Sequence, residues 1–579
     1  MEHAEKITEI LTHEKILTPS DDVAQMLLDA KHKHIDLEEE IAGKKGVKPE
    51  QIYQTVAEGF GVPYINLNSK TIDKSLIDLL PETIVQTHHI VIVERDANKQ
   101  MLIVATRDPD DIQTLDFIQK RTGMELQVYY TDSASIAHIV GQYHKTLEEE
   151  LQSVTAAPLA LDSFTGITEL NRIARDVPIV KVVDVLLNYA LYQGASDIHI
   201  EPTENHVIIR YRIDGILMDV MKFPRILHQA LIARIKVLAN LKIDEHRLPQ
   251  DGRFKITVDD KRIAFRVSIF PVYDGEKVVL RLLDESAKVL TFEQLGIQKE
   301  RIAIVTANIR KPHGILLVTG PTGSGKTTTL YSVLNILNTP SVNISTVEDP
   351  IEYRIPRVNQ AQISPKIGFS FAAGLRALLR QDPNIIMVGE IRDGETAEIA
   401  AHAAMTGHLV LSTLHTNDAI GAIPRLTEMG VPRYLVASTT NLIIAQRLVR
   451  KICEYCRFTV TMTRSLVKEM EEQLQLKNIL ETVTSVEHVE GETEMEEMNF
   501  YKGKGCAECG NRGYAGRIGI YEILEITDEI RKGILDQATP KELLNIAMQQ
   551  GMMTMAQDGF LKAKQGLTTI EEILRVTKE

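Results

Sequence analysis

A glycine-rich loop in the second half of the chain has the residue types that hold the phosphates of ATP. The segment GPTGSGKTT follows the apolar run GILLVT and precedes a stretch with helical periodicity. This order is the setting of a P-loop, in which backbone amides and a helix N-terminus face the phosphates. Lys326 is expected to reach the β and γ oxygens, and the Thr327 hydroxyl to ligate Mg²⁺. The predicted nucleotide-binding residues are Gly320, Pro321, Thr322, Gly323, Ser324, Gly325, Lys326, Thr327 and Thr328.

Acidic residues follow two further apolar runs, where a P-loop enzyme needs a carboxylate to order Mg²⁺ and activate water. The run IIMV is followed by Gly389 and Glu390, so glycine replaces the usual Walker B aspartate. Glu390 would therefore order the Mg²⁺ shell, polarise the attacking water, or both. In STVEDPIEY, Glu348 and Asp349 end a second predicted strand, and Glu352 is the alternative base. Such acids can also cap helices, but two sets beside one P-loop favour catalysis.

Two histidines bracket another apolar strand in the segment TGHLVLSTLHTND. His408 precedes the strand and His415 follows it. Parallel α/β sheets bind ligands at the carboxyl ends of their strands, so His415 is a candidate contact to the γ-phosphate. We include both histidines among the candidate catalytic residues, with a purely structural role as the alternative.

The four cysteines of the chain form two CxxC pairs, and 49 residues separate the pairs. Four thiolates suit a closed, tetrahedral and structural Zn²⁺ site. A redox role is the alternative, but the motifs do not lie at a strand–helix junction of the thioredoxin type. The predicted zinc ligands are Cys453, Cys456, Cys506 and Cys509.

Arginines recur on the predicted strands that precede the P-loop region. The planar, permanently charged guanidinium spreads over several phosphate oxygens, which suits an arginine that acts on a nucleotide bound by a neighbouring subunit. Solvated strand faces would show the same pattern, and the sequence does not rank the candidates. They are Arg210, Arg212, Arg266 and Arg281.

Length, net charge and the distribution of apolar residues limit which class of protein this chain can belong to. A chain of 579 residues is long enough for about four domains. Its net charge of −14 argues against a broad, sequence-independent grip on nucleic acid. No run of about 18 apolar residues occurs, and the N-terminus lacks the apolar core of a signal peptide, so we expect a cytoplasmic protein.

Changes in residue pattern predict a multidomain α/β protein. Helical periodicity comes first, followed by alternating strands and helices, a Ser/Thr/Ala/Pro-rich linker, and a mostly antiparallel sheet. The last segment has short apolar strands between helices, which is typical of a parallel sheet covered on both faces. The predicted boundaries are 1–60 (helical unit), 61–150 (α/β domain), 151–165 (linker), 166–289 (arginine-bearing α+β domain) and 290–579 (ATPase domain, with a zinc subdomain at about 450–515).

Taken together, these motifs resemble the secretion ATPase superfamily, and more closely the type IV pilus assembly and type II secretion ATPases. The resemblance covers most of the chain and rests on ASDIHIEP, RLPQDGRF, GPTGSGKTTTLY, the Asp-box-like STVEDPIEY, IIMVGEIRDGETAEIA, the His-box-like TGHLVLSTLHTNDA and GCAECGNRGYAGRIGIYEIL. It implies a RecA-like P-loop core, preceded by a PAS-like α+β domain and an N-terminal α/β domain that docks an adaptor.

The resemblance also implies a mechanism and partners. The expected protein is a homohexameric extension motor at the inner face of the cytoplasmic membrane, where it is held through partners. ATP would sit between one subunit and the arginines of the next, and its hydrolysis would move an inner-membrane platform protein. No direct contact with nucleic acid is expected. Retraction motors of the superfamily usually lack the long N-terminal region and the tetracysteine site, which disfavours that role. The alternatives are a non-hydrolysing, ATP-gated scaffold and a nucleic-acid translocase.

Three departures from the family pattern concern particular residues. Asn384 stands where the family typically has aspartate, which removes one acidic contact. The residues around Arg247, Arg253 and Arg266 differ mildly from the family's pattern, so the family's roles are assigned to these arginines less directly. The N-terminal region lacks the RLG-led repeats with which some relatives bind cyclic di-GMP, so we do not predict that regulation.

Overall fold

The computed structural model of the protein describes residues 2–18, 21–33, 36–68, 70–77, 79–80, 82–96, 100–140, 179–258, 261–284, 289–461 and 499–577. These residues form two compact units. The first contains Met1–Tyr211, Met218–Lys261 and Phe265–Arg281, and the second contains Arg212–Leu217, Arg262–Ala264 and Leu282–Glu579. The predicted linker at 151–165 and most of the stretch between the two cysteine pairs lie outside the described residues.

The first unit begins with seven helices and a three-stranded sheet. The elements are α1 (Glu2–His13), α2 (Val23–Lys33), α3 (Leu37–Lys45), α4 (Pro49–Gly59), α5 (Lys74–Ile77), α6 (Glu82–His88), β1 (Ile90–Asp96), β2 (Met101–Thr106), α7 (Ile112–Thr122) and β3 (Glu125–Tyr130). β2 pairs antiparallel with β1 and parallel with β3. α7 shows why the chain folds this way locally, because the Asp111 side chain caps its first turn and Gly123 ends it at a φ of 67°.

A buried polar cluster joins the helices to this sheet. Arg107 follows β2, and its Nη1 donates to Glu38 Oε1 at 2.9 Å and to the Tyr130 hydroxyl at 2.8 Å. Glu38 lies on α3 and is completely buried. The Glu38 charge helps to raise the pKa of Arg107 against the opposing effect of burial. The cluster therefore keeps an ion pair inside the first unit.

A six-stranded sheet and two helices follow. The elements are α8 (Ile179–Tyr192), β4 (Ala195–Pro202), β5 (His206–Ile213), β6 (Ile216–Pro224), α9 (His228–Leu238), β7 (Gln250–Val258), β8 (Lys261–Val272) and β9 (Gly275–Asp284), with strand order β6-β5-β4-β9-β8-β7. On β5, Val207, Ile209 and Tyr211 are buried. Successive side chains of a strand point to opposite faces, so Arg210 and Arg212 lie on the other face.

The second unit contains the predicted parallel core. Its elements are α10 (Phe292–Leu295), α11 (Lys299–Ile309), β10 (Gly314–Thr319), α12 (Lys326–Leu337), β11 (Ile344–Glu348), β12 (Val358–Gln362), α13 (Phe371–Leu378), β13 (Ile385–Val388), α14 (Gly394–Met405), β14 (Leu409–Leu414), α15 (Ala422–Glu428), α16 (Arg433–Thr439) and β15 (Thr440–Ile452). Every residue of β10, β11, β13 and β14 is buried. Continuous apolar runs of this kind are what a parallel sheet between two helical layers requires.

The remaining elements complete the sheet and attach the cysteine region. They are β16 (Arg457–Thr461), β17 (Asn499–Gly503), β18 (Tyr514–Glu525), α17 (Asp528–Leu535), α18 (Pro540–Gln549), α19 (Met555–Lys564) and α20 (Ile570–Thr577). The seven-stranded order is β12-β11-β13-β14-β10-β15-β18, and only β18 runs antiparallel to its neighbour. Among the described residues, no helix has the length and apolarity that a bilayer crossing needs.

The buried ion pair of the first unit gives a stability prediction. Arg107→Met should destabilise this region by about 3 to 5 kcal/mol, because it leaves the Glu38 carboxylate buried without its partner. Hydrogen exchange of β3 and α3 in the full chain measures the effect, and both should exchange faster.

Adding Glu38→Leu to Arg107→Met should restore much of the lost protection, because no lone charge then remains buried. Lys120→Met is the control, since Lys120 is exposed and pairs with Asp116 on the surface of α7. Unchanged exchange in Arg107→Met would show that the pair does not hold the helices to the sheet.

Candidate active site and metal centre

The P-loop joins β10 to α12 and takes a conformation that favours glycine. Gly320 has a φ of 143°, and a Cβ there would lie 2.5 Å from the Gln446 carbonyl oxygen. Gly325 has a φ of 86° and precedes the first residue of α12. Lys326 Nζ donates to the carbonyl oxygens of Gly320 at 2.8 Å and Pro321 at 3.0 Å. The Lys326 side chain therefore lies along the P-loop, with its ammonium group hydrogen-bonded to the loop's own carbonyl oxygens.

Electrostatics couples Lys326 to the candidate base. Burial lowers the pKa of Lys326, and the charge of Glu390 acts in the opposite direction. Lys326 follows β10 and Glu390 follows β13, and these parallel strands flank β14, so the two residues lie at the same edge of the sheet. This links the P-loop at the end of β10 with the acid that follows β13.

Gln446 fastens the P-loop from the neighbouring strand β15. Its side chain is buried, its Oε1 accepts a hydrogen bond from Thr329 Oγ1 at 2.7 Å, and its Nε2 donates to the Ser324 carbonyl at 2.6 Å. Sequence analysis missed this residue. The sequence did carry a signal, which is the amide in the middle of the apolar run LIIAQRLV, because a buried polar side chain needs hydrogen-bond partners.

Glu390, His415 and Arg392 meet at the carboxyl ends of β13 and β14. His415 Nε2 lies 3.2 Å from Glu390 Oε2. Arg392 forms an ion pair with Glu390, and its Nη1 lies 3.8 Å from Asp349 Oδ2 at the end of β11. The hydrogen bond to Glu390 raises the pKa of Arg392. Sequence analysis missed Arg392, although the segment GEIRD places it two residues after the acid.

The acids after β11 have different surroundings. Glu348 is buried and accepts hydrogen bonds from the Tyr331 hydroxyl at 2.5 Å, Thr346 Oγ1 at 2.6 Å and Gln360 Nε2 at 3.1 Å. Burial raises the pKa of Tyr331, and the charge of Glu348 and its hydrogen bond raise it further, whereas a hydrogen bond with the Glu352 backbone opposes the shift. Glu348 is therefore a hydrogen-bond acceptor inside the protein.

Gly389, in the Walker B position, lies close to the end of β11. A Cβ at Gly389 would lie 3.3 Å from the Glu348 Cα and 3.4 Å from the Val347 carbonyl oxygen. The Gly389 amide also donates to that carbonyl at 2.8 Å. A side chain at position 389 would therefore crowd the end of β11, and the carboxylate stands one residue later, at Glu390.

The structure separates the two candidate histidines. His415 follows β14 at the edge that carries the P-loop. His408 precedes β14, and its Nδ1 lies 2.9 Å from the Ala403 carbonyl oxygen. The six residues of β14 span about 20 Å. Within one chain, the fold therefore brings His415, and not His408, to the P-loop edge.

Asn384 has a structural environment at the amino end of β13. Its Oδ1 accepts a hydrogen bond from the Asn343 amide at 2.8 Å. The Asn343 side chain in turn donates to the carbonyl oxygens of Gln381 and Asp382. The departure from the family's aspartate thus lies at the opposite end of β13 from Glu390.

The four candidate arginines differ in their surroundings. Arg210 pairs with Glu201 at 3.3 Å and with Asp219 at 3.0 Å. Arg281 Nε lies 2.9 Å from Asp197 Oδ1. Arg212 Nη1 donates to the Gly215 carbonyl at 3.1 Å. Arg266 has an exposed side chain on β8.

The four cysteine sulfurs converge between β15, β16, β17 and β18. All four Sγ atoms lie within 4.8 Å of one another, and the cysteines are free thiols. The distances are 3.8 Å for Cys453–Cys506, 3.9 Å for Cys456–Cys509 and 3.7 Å for Cys506–Cys509. A tetrahedron of thiolates with metal–sulfur bonds of about 2.3 Å has edges of about 3.8 Å. The donor set therefore fits Zn²⁺ in chemistry and in spacing.

Comparison with known proteins adds relatives for nearly the whole chain. The type IV pilus assembly ATPase PilB of Myxococcus xanthus is 39% identical over 534 residues, which is 91% of each chain. The type II secretion system protein E of Xanthomonas campestris is 39% identical over 550 residues, or 93% of each chain.

A solved structure and two family profiles agree with these relatives. The Yersinia pseudotuberculosis ATPase DotB matches with a TM-score of 0.50 and 23% identity, covering 69% of this chain and 93% of its own, which supports the fold. The MshEN domain profile matches residues 60–150. The profile described as Type II/IV secretion system protein matches residues 173–575. On this match and on its P-loop core, the chain belongs to the type II/IV secretion system protein family.

Proposed function

We propose that the protein is an ATP-hydrolysing motor that drives assembly of type IV pili or of type II secretion pseudopili. The observation that carries this proposal is that the P-loop, Glu390 and His415 follow the aligned ends of three neighbouring parallel strands, where His415 Nε2 lies 3.2 Å from Glu390 Oε2. A charge that binds phosphate thus lies at the same edge of the sheet as a carboxylate that can take a proton. The names of the relatives, which include both pilus assembly and type II secretion proteins, support the two cargo classes equally.

The chain's own residues supply the groups for γ-phosphate hydrolysis. The P-loop amides and Lys326 bind the β and γ oxygens, and Glu390 accepts a proton as water attacks the γ-phosphorus and the bond to ADP breaks. His415 holds the Glu390 carboxylate. Thr327 and Glu390 are the residues that would hold Mg²⁺, which neutralises phosphate charge when it is bound. Glu390 ranks above Glu352 because it follows β13, directly beside β14, and its Oε2 lies 3.2 Å from His415 Nε2.

We further propose the assembly and partners that the resemblance implies. The protein would work as a homohexamer on the cytoplasmic side of the inner membrane, bound there through a platform protein and an adaptor. The adaptor would use residues 61–150, where the MshEN profile matches. In this scheme the sheet of β4–β9 is a PAS-like domain at 166–289, and residues 290–579 form the RecA-like motor domain.

A non-hydrolysing, ATP-gated scaffold is the second candidate, and two observations favour it. Position 389 carries no carboxylate, and Arg392 is ion-paired with Glu390. A Glu390 carboxylate that stays ion-paired with Arg392 would accept a proton from water poorly. Measured phosphate release distinguishes the two functions.

The tetracysteine cluster would hold a structural Zn²⁺. All four ligands would be thiolates, which leaves no open position for substrate. The metal would tie the end of β15 to the turn before β18, since Cys453 and Cys506 lie on these segments. Its proposed role is to stabilise this part of the second unit.

The first prediction of this mechanism concerns the rate of ATP hydrolysis. Lys326→Ala should abolish ATP binding, because it removes the charge that meets the phosphates. Glu390→Gln should bind ATP but hydrolyse it at least about a hundredfold more slowly, because the amide cannot accept a proton. Phosphate release and nucleotide binding by the purified hexamer measure both effects.

Glu352→Gln is the matched control, with the same chemical change at the other strand end. A larger loss in Glu352→Gln than in Glu390→Gln would reverse the ranking of the two acids. A wild-type hexamer that binds ATP without turnover, even with its membrane partners, would favour the gated scaffold.

The second prediction concerns the metal. The purified protein should contain one zinc per chain, and Cys506→Ser should lose it and unfold at a lower temperature. Elemental analysis and thermal unfolding provide the measurements. Glu508→Gln, an exposed change in the same turn, should keep both properties. Metal-free protein with two disulfides would instead support the redox alternative.

The third prediction concerns the arginine that acts across the subunit boundary. We favour Arg266, because it is exposed, whereas Arg210 and Arg281 are ion-paired within their own sheet. Arg266→Ala should lower kcat at least about tenfold with little change in ATP affinity. Lys255→Ala, an exposed cation on β7, is the control.

Mixing subunits tests whether the arginine acts in trans. Oligomers of Arg266→Ala and Lys326→Ala subunits contain boundaries where an intact P-loop meets an intact Arg266. The expected result is a mixture more active than the sum of the two variants measured separately. A mixture as inactive as its components would contradict action in trans.

A further inference from the structure

The loop that follows His415 is held in a fixed conformation. Within it, Thr416 Oγ1 donates to the Asp418 carbonyl at 2.9 Å, and Asp418 Oδ1 accepts a hydrogen bond from the Gly421 amide at 2.6 Å. The loop thus has its own turn. Its internal bonds do not by themselves attach it to the sheet.

Thr319 Oγ1 at the end of β10 makes one long hydrogen bond to the Asp418 carbonyl, at 3.5 Å, and two side chains from β15 and β18 make shorter ones to the loop. Arg447 Nη2 donates to Asn417 Oδ1 at 3.2 Å, and Glu522 Oε2 accepts a hydrogen bond from the Ala419 amide at 3.1 Å. Both side chains are about 7% exposed, so the contacts are largely screened from water. Arg447 and Glu522 therefore hold the loop at Asn417 and Ala419, on either side of Asp418.

The strand register explains why these two residues reach the same loop. In the antiparallel pair, Glu522 lies opposite Ala445, and Arg447 lies two residues further along β15. Residues opposite each other, and residues two apart on one strand, project from the same face of a sheet. Arg447 and Glu522 therefore both project from that face.

The second oxygen of Glu522 has a different partner. Glu522 Oε1 accepts a hydrogen bond from the Met555 amide at 3.2 Å, at the first residue of α19. One buried carboxylate thus satisfies two backbone donors from distant parts of the sequence. A buried donor left without an acceptor is costly, so both segments are held to Glu522.

We propose that Glu522 is a positioning residue for ATP hydrolysis, which acts with Arg447 by fixing the loop after His415 and so holding His415 against Glu390. The inference rests on the proposed catalytic function. It assigns a role in turnover to a buried acid that lies on β18, outside the P-loop and the strand ends that carry the reacting groups. It also makes the start of α19 part of the support for the His415 loop.

Glu522→Gln is the sharpest variant, because it keeps the side-chain volume and removes one acceptor. The amide nitrogen must face one of the two backbone donors, so one hydrogen bond is lost. We expect kcat to fall about tenfold with little change in the KM for ATP, because the P-loop contacts remain. Glu525→Gln is the matched control on the same strand, since Glu525 contacts Asn308 and not the loop.

A double variant separates positioning from general destabilisation. If Glu522 acts through His415, Glu522→Gln combined with His415→Ala should be no slower than His415→Ala alone. Hydrogen exchange of the nucleotide-free protein adds a readout that does not depend on turnover. The segment around Ala419 and the first turn of α19 should exchange faster in Glu522→Gln than in Glu525→Gln.

The outcomes distinguish this inference from the proposed function. If His415→Ala slows hydrolysis and Glu522→Gln does not, or if the two losses multiply, the positioning role is wrong and the ATPase stands. If the wild type does not hydrolyse ATP, the proposed function fails, and the catalytic role of Glu522 fails with it. Unchanged exchange at Ala419 in Glu522→Gln would overturn the structural basis in either case.

A second variant tests the proposal in the case that Glu522→Gln does not fold. If Glu522→Gln does not fold, Asn417→Ala removes the exposed partner of Arg447 without touching the core. It should lower kcat several-fold and leave ATP affinity unchanged. A kcat equal to that of the wild type would overturn the proposal.

Discussion

The site depends on the parallel pairing of β14 with both β10 and β13. The register places Thr319 opposite Leu414, and Val388 opposite Ser412. Side chains reinforce this pairing, because Ser412 donates to the Val388 carbonyl at 2.7 Å and Thr413 donates to the Gly389 carbonyl at 2.8 Å. With the strand ends aligned, the P-loop, Glu390 and His415 must share one edge. A change of register would separate the phosphate-binding charge from the base.

The long strand β15 pairs with β10 on the side away from β14. Its side chains contact both the P-loop and the loop after His415, and connect them to the rest of the second unit. Gln446 holds the P-loop, and the next residue, Arg447, reaches the loop after His415. Arg450 then pairs with Glu572 of α20 at 2.7 Å, and Cys453 follows the strand into the metal cluster. Glu572 is almost fully buried. Burial would raise its pKa, but hydrogen bonds from Arg575 and Arg450 lower it to about 2, so it stays ionised at neutral pH.

Buried charges in this protein join segments that are distant in sequence. Glu38 and Arg107 connect a helix to a sheet in the first unit. In the second unit, Asp558 of α19 accepts hydrogen bonds from the Tyr521 amide of β18 and from Gln298 Nε2, each at 2.8 Å, and Lys562 one turn later is its ion-pair partner. Such pairs add little net stability over apolar packing, but removing one partner is expensive. Their effect is to favour one arrangement of the connected elements. Glu522 likewise joins distant segments, but its partners are the backbone amides of Ala419 and Met555.

The sequence by itself determined the chemistry and the order of the elements. The P-loop, the acid after IIMV, the cysteine pairs and the buried parallel strands are local patterns, because loop conformation and strand burial depend on neighbouring residues. Tertiary structure decided which local signals work together. His408 and His415 look alike in sequence, but only strand direction puts one of them beside Glu390. Gln446 and Glu522 gain their roles from partners on other segments, and pairing across a sheet follows from long-range packing that one sequence does not specify.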